Sequence, residues 1–163
     1  MSNKTLLLFF AISVFSFTAC KKEEGPAGPA GKDGNANVKS MMITVNQLEW
    51  NGDGYGYSAE KPCSIITPAI AESGAVMCYY KEDDTYVPLP ASINYLAQYT
   101  THMLFAYTPG NIEFFTQDDD GLTPSPDQAI FKVVAISSAG MQLNPDLDIN
   151  NYYEVKQAFD LED

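Results

Sequence analysis

Residues 38–163 predict one all-β domain, a β-sandwich of seven or eight short strands that ends in a short helix. Three observations carry this prediction. Apolar and polar residues alternate with a period of two along much of the segment, the pattern of strands buried on one face. Two aromatic and β-branched stretches, 101–108 and 111–117, flank Pro109-Gly110 and read as a hairpin. A sustained helical stripe comes only near the end, where Tyr152, Val155 and Phe159 fall on one side of a helix. The length is that of one ordinary domain, with enough phenylalanine, tyrosine, isoleucine, leucine and valine to build a core.

The elements follow in chain order. Met41, Ile43 and Val45 share a face of a first strand that begins at Val38. Weaker strands are expected at 63–67, 86–89 and 94–99. Thr67-Pro68 starts a short helical turn that Gly74 closes, and Val76, Cys78 and Tyr80 share a face of the strand after it. Residues 130–137 form a near-continuous apolar run interrupted at Lys132, suited to a central strand. The acidic, proline-broken segment 118–127 reads as an exposed loop. Asn150 or Asn151 caps the last helix, which runs through Phe159.

The first 37 residues are organised differently, as a signal over 1–19 and a tether over 20–37. Lys4 precedes an apolar run over residues 6–17, too short for the roughly 20 residues that span a hydrocarbon core. A charged flank ahead and small residues behind make it a secretory signal. The string Phe17-Thr18-Ala19-Cys20 resembles the lipobox of signal peptidase II substrates, whose usual form is Leu-Ala/Ser-Gly/Ala-Cys. Phe17 replaces the leucine and Thr18 the alanine, while Ala19 and Cys20 match. The resemblance implies that residues 1–19 are removed and that Cys20 becomes the lipidation site, with a diacylglycerol on its thiol and a further acyl chain, such as palmitate, on its amine. Each buried methylene contributes about 0.8 kcal/mol, so two or three chains anchor stably where one is marginal. Lys21, Lys22, Glu23 and Glu24 look like the surface-export signal of Bacteroidota lipoproteins, which implies the outer membrane and its outward face.

Gly25, Gly28, Gly31 and Gly34 then repeat with a strict period of three. Glycine at every third position is what a collagen triple helix requires at its axis. Four triplets are few to offset the ordering entropy of three chains. The segment therefore reads as an extended tether on a monomer, reaching about 37 Å as polyproline II, with a trimer as the other reading. The string GPAGPAGKDGNANV behind a lipobox resembles uncharacterised collagen-like surface lipoproteins of Bacteroidota. The likeness is strongest over residues 20–38 and weaker through ITPAIAESGAVMCYY (residues 66–80) and the acidic C-terminal helix. It implies a location and an architecture, and brings no catalytic residues with it.

The chain has no arginine, and its formal charge is −12. A nucleic-acid surface needs a basic patch, so none is expected. No cofactor motif is present. With Cys20 acylated, Cys63 and Cys78 remain, either as a disulfide contributing about 3 kcal/mol in an oxidising compartment or as free buried thiols. Two cysteines and the single histidine, His102, are too few ligands for a structural metal site. His102 lies in a predicted strand, with no nucleophile-elbow pattern beside a serine, and reads as a strand-edge or hydrogen-bonded side chain. No pair of carboxylates stands out for glycosidase chemistry. The loop Asn51 to Gly56 begins like a calcium loop but has tyrosine at position five and Pro62 at position twelve. Asp118, Asp119 and Asp120 cluster without the alternating spacing. Both read as solvated turns.

Trp50, Tyr55 and Tyr57 are the sharpest ligand candidates. Exposed together, they form an aromatic platform for a glycan, with the apolar sugar face on the rings and amides or acids on the hydroxyls. Alternatively, Trp50 closes one end of the core, as strand-terminal aromatics do. The expected function is thus a non-catalytic interaction or envelope-structural module on a lipid anchor, its partner a protein or another subunit. A glycan-binding module is the alternative, and a small hydrolase comes third.

Overall fold

The computed structural model describes residues 36–95, 99–121 and 125–161. The expected signal, Cys20 and the glycine repeat lie outside the described residues. The remainder is a β-sandwich of two antiparallel sheets with short helices towards its C-terminal end.

One sheet has four strands, in the order β1 (Val38–Val45), β9 (Ala129–Ile136), β4 (Ala75–Glu82) and β5 (Thr85–Pro88). The other has five: β2 (Asn51–Gly52), β3 (Tyr57–Cys63), β8 (Gly110–Asp118), β7 (Tyr99–Thr108) and β6 (Ala91–Tyr95). The apolar run at 130–137 is β9, central in its sheet between β1 and β4. The predicted hairpin is β7–β8, with Thr108 opposite Asn111. Gly110 has φ +89°, so Pro109-Gly110 supplies the fixed negative φ and the positive φ that a type II turn needs.

The inner faces meet in a core that contains Val45, Ala59, Ile112, Phe114, Phe131 and Val133. Phe114 of β8 and Phe131 of β9 stack across the two sheets, with ring centroids 3.9 Å apart and planes 8° from parallel. Cys63 and Cys78 both lie in this core as free thiols. The disulfide weighed from the sequence is not formed. Each sulfur fills an apolar site, and burial raises both thiol pKa values, so neither is a reactive thiolate.

A second core covers the outer face of the four-stranded sheet. Among the described residues three α-helices accompany the strands: α1 (Pro68–Ser73), α2 (Ser138–Leu143) and α3 (Tyr152–Phe159). Asn151 caps α3, its Oδ1 accepting the amides of Tyr153 and Glu154. The stripe Tyr152, Val155 and Phe159 is buried against Met77, Tyr79, Val134 and Ile136. Tyr152 meets Tyr79 edge to face with centroids 5.0 Å apart, and the Tyr86 ring centroid lies 4.1 Å from that of Tyr152.

The Tyr79 hydroxyl donates to the Ile149 carbonyl at 2.7 Å. Burial, then the neighbouring Cys78 and Asp148 groups, push this phenol well above its ordinary value of 10. Above about pH 10 the unfolded chain releases the proton and the folded chain keeps it. Stability from this group is therefore full below about pH 10 and is lost as pH rises towards the folded value. In an alkaline denaturation series, Tyr79→Phe is expected to flatten that loss while costing about 1 kcal/mol at neutral pH for the missing hydrogen bond. Identical alkaline slopes in the two proteins would contradict the assignment.

Several expectations need correction. The weak strand expected at 63–67 lies earlier, as β3, and the one at 94–99 ends at Tyr95 as β6. The short β2 and the helix α2 come from segments that carried no clear period. Asp118 is not in an exposed loop. It ends β8, buried, and accepts a hydrogen bond from the Thr101 hydroxyl at 2.6 Å.

Candidate functional site

The two sheets differ on their outer sides. The four-stranded sheet carries its helix and the second core. On the outer side of the five-stranded sheet, alternation places Ser58 and Glu60 from β3, Phe115 and Gln117 from β8, His102 and Leu104 from β7, and Ser92 from β6. The burial strings agree: Phe114 and Thr116 are buried between the sheets, while Leu104 is 45% exposed.

Strand register sorts this face into rows. Ser58, Phe115 and Leu104 lie directly opposite one another across β3, β8 and β7. Gln117, His102 and Ser92 form the next row, two residues along and so about 7 Å away. On the other side of the apolar row, Glu60 sits opposite Glu113. An apolar strip thus runs between a row of hydrogen-bonding groups and a pair of carboxylates.

Tyr55 stands at the β3 end of these rows, 77% exposed. Its loop is rigidly built. Asp53 Oδ1 accepts the amides of Tyr55 at 2.8 Å and Gly56 at 3.0 Å, an Asx turn, and those two bonds lower the Asp53 pKa. Gly56 then passes so close to β8 that a Cβ would lie 2.6 Å from the Thr116 carbonyl oxygen. Only glycine allows that approach. A groove of about 260 Å³ lies beside the loop, bordered by Tyr55, Ser58, His102, Leu104, Phe115 and Gln117.

The three-aromatic platform is not formed. Trp50 is 7% exposed, packs into the inter-sheet core, and donates its indole N–H to the Asp127 carbonyl at 3.3 Å. The turn before it is pinned from outside: Glu49 accepts from the Asn46 amide at 2.8 Å and from Lys61 at 2.6 Å. The amide, followed by the Lys61 ammonium, holds the Glu49 pKa down to about 2. Tyr57 is half-buried and packs against the inter-sheet core beneath Gly52. Of the three rings, Tyr55 is the one fully presented to solvent, while the half-buried Tyr57 also borders the groove.

His102 is exposed, and its Nδ1 lies 2.9 Å from the Ser92 hydroxyl. A serine-hydrolase site would need a carboxylate orienting the imidazole and donors for an oxyanion. Among the described residues no carboxylate hydrogen-bonds to His102, so the pair fixes the ring on an open sheet face. Its Nε2 is the nitrogen left for the groove.

Two other clefts hold polar pairs that serve the fold. The cleft beside α1 holds Thr67 and Ser137, whose hydroxyls cap α1 and α2 by accepting the amides of Ile70 and Gly140. The cleft at the Asp118 end holds the Thr101–Asp118 pair. Among the described residues no group of three histidine, cysteine, aspartate or glutamate side chains could hold a metal ion. No protein family, curated protein or solved structure matches this chain.

Proposed function

We propose that the protein is a lipid-anchored component of the outer membrane, displayed at the cell surface on a short collagen-like tether, and that its β domain is a non-catalytic interaction module. The anchor reading rests on the lipobox-like string ending at Cys20. The module reading rests on one observation: among the described residues, a helix covers the outer face of one sheet and no element covers that of the other. The bare face carries Leu104 and Phe115, beside an exposed Tyr55 whose loop is braced by the Asx turn and Gly56. Exposed apolar groups gathered beside polar ones mark interaction surfaces, whereas singly scattered ones carry no such meaning. A tether puts such a face within reach of material outside the cell.

The anchor is tested by metabolic labelling with palmitate in the source cells, followed by fractionation. The wild-type chain is expected to take up label and to sediment with the outer membrane. Cys20→Ala is expected to lose both properties. A Cys20→Ala chain that still sediments and still labels would remove the basis of the reading. Protease added to intact cells separates the outward face, where the domain is digested, from the periplasmic one, where it is spared.

A further inference from the structure

We infer that the groove beside Tyr55 is a binding site for a neutral carbohydrate, with Tyr55 as the stacking platform and Gln117, His102 and Ser58 as partners for sugar hydroxyls. This deepens the interaction-module reading and rests on it.

Ligand chemistry follows from what lines the groove. An anionic ligand is held best by lysine or arginine, and neither borders the groove: Lys61, the lysine on β3, is paired with Glu49. Acids repel anions further, since Asp53 borders the groove, Glu60 and Glu113 face each other on the adjacent row, and the whole chain carries −12. A purely apolar ligand would leave the amide, imidazole and hydroxyl row without partners and so be disfavoured. What fits is a molecule with one apolar face and a rim of uncharged hydroxyls. A pyranose ring has that character. Its C–H face can lie on Tyr55 or along the Phe115–Leu104 strip, and its hydroxyls reach the Gln117–His102 row about 7 Å away.

The hydrogen bonds around the site support the same assignment. Asp53 has one carboxylate oxygen committed to the Tyr55 and Gly56 amides, so its role in the loop is to hold Tyr55 in place. With Nδ1 held against Ser92, His102 offers Nε2 in a fixed direction, the preorganisation that lowers the entropic cost of binding. The volume of about 260 Å³ lies just under the roughly 300–1,000 Å³ of drug-sized pockets, so the groove takes one ring of a longer chain, which continues along the open strip.

The test is affinity electrophoresis of the full chain in gels containing one of four neutral polysaccharides (hydroxyethylcellulose, laminarin, glycogen or galactomannan), with heparin and polygalacturonate as anionic controls. Retardation by at least one neutral polysaccharide is expected. Tyr55→Ala should weaken it about ten-fold or more, the loss expected of a central aromatic anchor, and Tyr55→Phe should preserve it because stacking needs only the ring. Leu143→Ala, an exposed leucine on α2, should bind as the wild type does. Thermal melts of all three variants should match the wild type, which excludes misfolding as the cause.

Retardation that survives Tyr55→Ala, or that occurs only with the anionic polymers, overturns the site. A parallel arm places a photo-crosslinking side chain at position 104 in the source cells. Protein adducts there, with no neutral polysaccharide bound, overturn the carbohydrate assignment and leave the open face as a protein surface. No adducts and no polysaccharide binding overturn the interaction-module reading as well.

Discussion

Phe131→Ala is expected to destabilise the domain by about 3–5 kcal/mol, read as a lower denaturation midpoint in urea with the slope unchanged. Phe131 lies on the central strand β9 and is stacked on Phe114 from β8 at 3.9 Å, with Tyr80 at 5.8 Å on its flank. Truncation removes a stacked ring pair that joins the sheets, and the cavity opens where neither backbone can collapse, because both are fixed by strands on either side. Against a total of about 5–15 kcal/mol for a domain, this loss leaves a small margin at best. Phe114→Ala should cost a similar amount, and the double variant less than the sum, since both substitutions empty one shared space. A loss under about 1 kcal/mol would mean that the sheets are held together elsewhere.

That core was largely legible in the sequence because period and packing agree there. Met41, Ile43 and Val45 alternate, β9 is apolar except for Lys132, and the Asn151 cap stands one residue before the stripe of Tyr152, Val155 and Phe159. What escaped was β3. Its sequence, YSAEKPC, offers only Ala59 and Cys63 as fully buried side chains, and Pro62 argues against a strand interior. The structure accommodates that proline where β3 is an edge: β2 pairs with β3 only at Tyr57 and Ser58, so at Pro62 the strand has a neighbour on one side alone, with Asn111 of β8 opposite. The helix α2 escaped for a similar reason: Ser138, Ala139 and Gly140 look like loop residues, and the Ser137 cap gives the only local cue.

The candidate site was less legible than the fold. Tyr55 drew notice within its glycine-rich loop, yet it was grouped with Trp50, five residues away. Whether two neighbouring aromatics point the same way depends on the turn between them, and here the turn sends Trp50 inward while the Asx turn at Asp53 leaves Tyr55 outside. The rest of the groove comes from Ser58, His102, Leu104, Phe115 and Gln117 on three strands. Only the register of β3, β8 and β7 brings them side by side, and register is a tertiary property set by which faces find a core. The one available sequence signal was the alternation within β8, where Phe115 and Gln117 fall on the side opposite Phe114.

Val155→Asp is expected to cost more than about 3 kcal/mol and to make the domain prone to aggregation, while Leu104→Asp changes stability by about 1 kcal/mol or less. The two substitutions are chemically alike and probe the outer sides of opposite sheets. Val155 is fully buried beneath α3 against the second core, so an aspartate there must ionise without a partner or lift the helix away. Lifting the helix uncovers Met77, Tyr79, Val134 and Ile136, a contiguous apolar surface of the kind that drives association. Leu104 is already 45% exposed, and its replacement buries nothing. The comparison therefore measures whether the fold depends on one outer face and not on the other, with equilibrium unfolding and light scattering as readouts. If Leu104→Asp proved as damaging as Val155→Asp, the five-stranded sheet would be covered in the folded protein, and its outer side could not be free for a ligand. A near-neutral Leu104→Asp would mean that folding alone does not account for Phe115, Leu104 and Tyr55 at that surface, which leaves binding as their physical rationale.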